Sequence, residues 1–290
     1  MANSTTTAPE LTQEQVQKIL IQPLEEKSAF LSAGPRVFDT SGPLRIPKMG
    51  NATEDPGWTG ENELIPERDV DFDEVTLMPS TMKSVKVITR YSNELARQSV
   101  VNLDQALKDR LVTDVAAKID TQFFSASGDG VTTPRGLFNL PGTKSVAVNG
   151  ELTLDHLLDA WGTALDAHVN LGALKWVVTP GDFVKLRKVK DTNGRYILNA
   201  DPTSDATFRI WGAPVIITSR IPNTTGATPT GRAALLDFSQ IAVARDMAPS
   251  VKVLTERYAD YDQQALRVVT RYDLGALNAD AVVTLTGIKR

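Results

Sequence analysis

Six apolar residues spaced four apart run through this 290-residue chain: Leu103, Leu107, Leu111, Val115, Ile119 and Phe123. Side chains at that spacing share one face of an α-helix, and Val112 and Ala116 widen the stripe. Asn102 is the expected N-cap, with Gln105 in the capping-box position. The helix should end near Ser127-Gly128-Asp129-Gly130. About 24 residues at ~1.5 Å each make a rod roughly 36 Å long. Such a rod suits a spine crossing a flat, extended subunit, although the core helix of any globular protein would show the same stripe.

The segment before this helix is lopsided in charge. From Glu54 to Glu74 stand nine acids (Glu54, Asp55, Glu61, Glu63, Glu67, Asp69, Asp71, Asp73 and Glu74) and one base, Arg68. That is a net of -8, so the rest of the chain, whose total is -4, carries about +4. Alternating apolar residues flank it: Val70, Phe72, Val75 and Leu77, then Val85, Val87 and Thr89 around Pro79-Ser80-Thr81. This pattern predicts a long two-stranded arm with an irregular tip. The acids read either as a solvated loop or as an arm that docks on a basic surface of another subunit; charge also discourages unwanted strand pairing.

Thr12 and Gln15 make a capping box for a short helix carrying Val16, Ile19 and Leu20, which Pro23 interrupts. A loose stretch with Gly34-Pro35 and Gly42-Pro43 follows, so residues 1–47 read as an extended arm. Beyond the long helix the pattern alternates. Thr153 caps a helix with Leu154, Leu157, Leu158, Trp161 and Leu165; Leu174 to Val178 is a strand; Thr179-Pro180 opens another helix. That helix shows Lys185, Arg187, Lys188 and Lys190 on its exposed side. Strands are expected at Ala233–Phe238, Ile241–Ala244, Val251–Thr255, Leu266–Leu274 and Ala281–Leu285. Within Leu266–Leu274, alternate residues form one buried face and one mostly charged face bearing Arg267, Arg271 and Asp273. The whole is α+β.

Several function classes lack their residues. There is no cysteine, hence no disulfide, thiolate metal site or cysteine nucleophile. The two histidines, His156 and His168, are too few for a three-histidine metal site and read as helix-surface residues. Ser127-Gly128-Asp129-Gly130 lacks the following Gly-Lys-Ser/Thr of a phosphate loop and reads as a helix stop with a turn. No Gly-x-Ser-x-Gly elbow occurs. A glycosidase-like pair of carboxylates stays open, although acids on a mobile arm are poorly held for catalysis. The net charge of -4 argues against a dedicated DNA-reading domain, and Lys185 to Lys190 reads as a solvated face, a weak nucleic-acid contact or a subunit contact. The N-terminal residues lack a signal-peptide core, and no apolar run reaches the ~20 residues of a membrane span. The expected place of synthesis is a cytoplasm, where the sequons at Asn3, Asn51 and Asn223 would be chance matches. No cofactor is expected.

The order of elements, together with local sequences, resembles the Hong Kong 97-type major capsid proteins of tailed phages. Trp58-Thr59-Gly60-Glu61 with Ile65-Pro66-Glu67 is similar to that family's extended loop, and Tyr91-Ser92-Asn93-Glu94-Leu95 to the segment leading into its spine helix. Ser127 to Gly130 with Pro134-Arg135-Gly136-Leu137 resembles the exit from that helix. Val178-Thr179-Pro180, Leu186, Asp191 to Tyr196 and Trp211-Gly212-Ala213-Pro214-Val215 resemble its apical pattern. The resemblance covers nearly the whole chain.

It implies an N-terminal arm at 1–47 and an extended β-hairpin loop at 48–90. It also implies a peripheral domain at 91–133 and 246–273 with a long spine helix, and an axial α/β domain at 134–245 and 274–290. The implied role is structural: a non-enzymatic subunit of an icosahedral head, found in the virion and assembled in the host cytoplasm. It would form hexamers and pentamers and enclose double-stranded DNA without reading its sequence. Implied partners are further copies of itself, a separate scaffolding protein, a portal and decoration proteins, with no membrane. Only about 30 residues precede Gly34-Pro35, too few for the scaffolding extension of some relatives. Some relatives crosslink a loop lysine to a neighbour's asparagine. Here no lysine lies between Gly50 and Thr81, and the matching peripheral stretch is Asp262-Gln263-Gln264, so no isopeptide bond is expected. Arg267 and Arg271, then the Lys185 to Lys190 helix, are the candidate partners of the acidic loop. An encapsulin-like nanocompartment shell and a soluble carboxylate-pair hydrolase are the other readings.

Overall fold

The structure, a computed structural model, describes residues 28–49, 58–62, 72–94, 103–198, 208–224, 229–246, 250–254 and 256–290. The expected helix at Thr12 to Leu24 lies outside them. In chain order the elements are β1 (Arg36–Thr40), β2 (Leu44–Met49), β3 (Phe72–Leu77), β4 (Val85–Ser92), α1 (Leu103–Phe123), β5 (Lys144–Gly150), α2 (Leu154–Asp166), β6 (Leu174–Val178) and α3 (Pro180–Arg187). There follow β7 (Arg209–Ile210), β8 (Ala213–Ile217), β9 (Thr230–Asp237), β10 (Ile241–Asp246), β11 (Ser250–Leu254), β12 (Gln263–Thr270), β13 (Tyr272–Ala276) and β14 (Val282–Lys289).

A six-stranded sheet, ordered β5-β14-β9-β6-β8-β7, organises the larger body. Its strands alternate between two apolar faces, as strands covered on both sides must. Trp176, Val178, Ala233, Leu235, Val283 and Leu285 face one core, closed by Leu157, Ala160 and Ala164 of α2 and Phe183 and Leu186 of α3. Val177, Ala234, Leu236 and Val282 face the other. Both helices begin where the sequence says. Thr153 Oγ1 accepts from the His156 N–H, and Thr179 Oγ1 from the Asp182 N–H with Pro180 at the first turn.

The second core is built on α1. Leu111, Val112, Val115, Ala116, Ile119 and Phe123 are buried on its apolar face. They pack against Tyr91 of β4 and Leu266 and Val268 of β12, two strands of the sheet ordered β11-β12-β4. At the centre, Phe30 meets Phe123, Phe124 and Phe238 edge-to-face, with centroids 5.0, 5.2 and 5.4 Å away.

Three expectations change. The segment before residue 47 is not all loose arm: Phe30 is fully buried and β1 pairs in parallel with β10. β3 and β4 do not pair with each other. β3 pairs antiparallel with β2, from Leu44↔Leu77 to Met49↔Phe72, and β4 pairs with β12. Alternation makes a strand but does not choose its partner. Finally, Leu266–Leu274 is two strands. It breaks at Arg271, so that β12 pairs with β4 and β11 while β13 passes into the sheet ordered β1-β10-β13.

Candidate assembly surfaces

The β2–β3 hairpin packs Leu44, Ile46, Val75 and Leu77 against Ala242 and Ala244 of β10, and most of the acidic segment lies between its two strands in sequence. Of the segment's nine acids, Glu61, Asp73 and Glu74 are described; Glu54, Asp55, Glu63, Glu67, Asp69 and Asp71 lie outside the described residues. Asp73 lies 3.2 Å from Lys48 and Glu74 3.8 Å from Arg45, each across its own hairpin. The Asp73 carboxyl is held below the usual range, first by the Glu74 backbone N–H and then by Lys48. Both pairs are open to solvent and fix register more than stability. Residues 58–62 are exposed throughout, and Trp58 is 106% exposed.

The base of the hairpin is held firmly. Asp273, on the side expected to be charged and solvated, is instead buried at 2% exposure. Its carboxylate accepts from the Met78 N–H at 2.7 Å and the Leu274 N–H at 2.8 Å. Met78 has φ 55, a strained conformation for a side chain of that size, which this hydrogen bond fixes. Gly275 lets β13 pass close beneath: a Cβ there would stand 2.7 Å from Leu77 Cδ2. Asp120 performs the same service for the N-terminal segment, accepting from Ser28 Oγ at 2.5 Å and the Ala29 N–H at 2.9 Å. Burial, only partly offset by these hydrogen bonds, raises both carboxyls above the usual 3.8.

The loop after α1 confirms a stop and turn. The Asp129 carboxylate accepts from the N–H groups of Val131, Thr132 and Thr133 at 2.8–3.0 Å. These hold its pKa far below the ordinary range. A cradle of amides that could have met a phosphate is filled by the chain's own carboxylate. Gly128, at φ 105, is needed because a Cβ would lie 2.0 Å from Pro134 O. The loop in turn braces the hairpin exit, where Thr132 O accepts from the Lys83 N–H at 2.9 Å.

The basic candidates separate. Arg271 lies 3.6 Å from Asp246 at the strand break. Arg267 stands on the outer face of the β11-β12-β4 sheet, opposite Lys252 on one side and Ile88 on the other. The same face carries Lys86 and Arg90, and the Arg267 Nε is buried without a hydrogen-bond partner. Lys86, Arg90 and Lys252 were missed in the sequence. The signal was there in Lys86-x-Ile88-x-Arg90, but only register brings those residues beside Arg267. On α3, Arg187 lies over the Phe183 and Phe208 rings at 5.9 and 5.5 Å. Lys190, just beyond, lies 4.8 Å from the Tyr196 ring centre. Lys185 and Lys188 are exposed.

The buried carboxylates Asp120, Asp182, Asp237 and Asp273 each serve a separate set of local donors. Among the described residues, no three His, Asp or Glu side chains are placed to hold a metal ion. His156 caps α2 through Nδ1, which meets the Thr153 N–H at 3.3 Å. Among the described residues, no helix is long and apolar enough to cross a membrane.

A mixed α+β subunit built on these sheets and one long helix is a form that known proteins share. The profile of the phage capsid family matches residues 10–287. The chain belongs to the phage capsid family. The major capsid protein of Klebsiella oxytoca phage phiKO2 is 26% identical over 96% of this chain and 68% of that protein. The capsid of a native GTA particle superposes with a TM-score of 0.69 at 20% identity, over 90% of each chain. The structure titled for Microbacterium phage Oxtober96 does so with a TM-score of 0.69 at 17% identity, also over 90% of each. The fold is thus the Hong Kong 97-type capsid fold, and this family member is a structural subunit of an icosahedral phage head. The nanocompartment reading is not favoured by these matches.

Proposed function

We propose that copies of this chain form hexamers and pentamers that close into a head around double-stranded DNA. The shell would hold its DNA without base readout. A net charge of -4 supports this, because a wall that gripped DNA tightly would hinder packing and release. In this reading the chain is not an enzyme, assembles in the host cytoplasm, and works with a separate scaffolding protein, a portal and decoration proteins.

The proposed division of labour assigns two domains that share the core built on α1. Residues 91–133 and 246–273 make the peripheral domain; 134–245 and 274–290 make the axial domain. The extended loop, expected at 48–90, takes its first strand from Leu44 onward, because β2 pairs with β3. The observation that carries the reading is the full exposure of Trp58 within the acidic segment. Its acids would dock on a neighbour's basic sheet face around Arg267, where opposite charge sets register and approach. Arg271, already beside Asp246, is the weaker candidate.

Negative-stain electron microscopy of the protein, expressed alone and with its neighbouring genes, tests this. Closed shells containing nucleic acid are expected; only small particles under both conditions would overturn it. Shells boiled in denaturant should release single chains, since no lysine lies between Gly50 and Thr81 to form an isopeptide bond.

A further inference from the structure

We propose that neighbouring copies within a capsomer join through two surfaces on opposite halves of the six-stranded sheet: the outer flank of α2 on one copy, and the α3 surface with the loop after it on the next. This rests on the shell reading above and adds the contact that closes the ring.

Helix α2 is more apolar than its own core requires. Leu157, Ala160 and Ala164 are buried against the sheet, while Leu158 and Leu165 remain 50% and 48% exposed. Beside these leucines the helix shows Asp155, Asp159 and Asp166, all exposed, and between Leu154 and Asp166 it has no lysine or arginine. An apolar stripe edged by one sign of charge is what an interface core and rim look like before assembly.

The second surface is the chemical complement. From Val184 to Ile197 stand five cations (Lys185, Arg187, Lys188, Lys190 and Arg195) against one acid, Asp191. Asp191 is engaged in its own turn, accepting from the Asn193 and Arg195 N–H groups at 2.9 and 2.8 Å. Among these cations lie exposed apolar side chains: Val184 at 48%, Tyr196 at 53% and Ile197 at 52%. Each surface therefore pairs apolar area with charge, and the charges are opposite.

Position decides between contact within a chain and contact between chains. α2 packs on β5 and β14, at one edge of the sheet. α3 follows β6 and sets Phe183 edge-to-face on Phe208, beside the other edge. Two different patches toward opposite ends of one sheet make a head-to-tail contact, and when its rotation closes it yields a ring. An isologous dimer would instead set α2 against α2 and bring six aspartates together.

Charge exchange tests this. Asp155→Lys with Asp159→Lys should abolish shells, as should Lys185→Glu with Lys188→Glu, and the combined quadruple variant should recover them. All four residues are exposed, and circular dichroism should show every variant folded. Shells at unmodified yield from either double variant would overturn the proposal. So would a quadruple variant that stays unassembled, or Lys185→Glu with Lys188→Glu shells that form normally but lose nucleic acid, which would make α3 a DNA-facing surface. The absence of cysteine allows a second readout. Leu158→Cys combined with Ile197→Cys should give a reducible ladder of linked chains on oxidation, whereas either single variant should not. Shells from the unmodified chain with no ladder would sink this interface alone. If the unmodified chain forms neither capsomers nor shells, the shell reading falls and takes the interface with it.

Discussion

The six-stranded body and the β2–β3 hairpin are both made of short strands, yet they keep their stabilising contacts in different places. In the body, alternate residues on each strand reach one of two apolar cores, and Trp176, Leu235 and Val283 are fully buried. In the hairpin, one side packs Leu44, Ile46, Val75 and Leu77 against β10, the other carries ion pairs open to water, and Trp58 is fully exposed. In the proposed shell, the body sets its own geometry and the loop is completed by other copies. A shell subunit needs both kinds of region, one rigid enough to set geometry and one left unsatisfied to reach a neighbour.

That contrast can be broken by mutation. Trp176→Ala should destabilise the monomer by about 3–5 kcal/mol, read as a lower urea midpoint. Trp58→Ala should leave the midpoint unchanged and reduce shell yield; equal effects on folding would erase the distinction. Arg290→Ala comes next. Its guanidinium donates to Asp182 at 2.8 Å and to Thr179 at 2.9 Å, and Asp182 is 0% exposed. Stranding that carboxylate should cost about 3 kcal/mol, and Arg290→Lys should recover only part, because a single ammonium does not reproduce the guanidinium's several donors.

The anchors between the two regions give a smaller, pH-dependent effect. Asp120 and Asp273 are raised in the folded chain, chiefly by burial. Between 3.8 and the raised native values the folded state holds more protons than the unfolded one. Stability from these groups is therefore full below that window and falls as pH rises through it. Asp273→Asn should flatten the dependence of the urea midpoint on pH; an unchanged slope would remove Asp273 as its source. Smallest of all, Lys48→Ala should shift the thermal midpoint by no more than experimental error at moderate salt, because its pair with Asp73 is open to solvent.

The elements were more legible than their partnerships. The stripe from Leu107 to Phe123, the caps at Thr153 and Thr179, and the strands beginning near Ile241 and Val251 follow from periodicity and capping, which are local properties. Asp273 misled because alternation put it on the polar face, and nothing nearby in sequence shows that Met78, 195 residues away, donates to it. The basic face had the same problem. Arg267 was visible alone, but Lys86, Arg90 and Lys252 join it only through the register of β4, β12 and β11.

By itself, then, the sequence determined the helix of the spine, the alternating strands, the acidic segment and the absence of thiol chemistry. Each of these depends on residue type and spacing within a few turns of chain. Tertiary structure alone decided that β3 turns to β2, that Phe30 sits at the centre of a core, and that Asp120 and Asp273 are buried anchors. Those outcomes depend on which distant surfaces fill the same volume, and no local spacing encodes that.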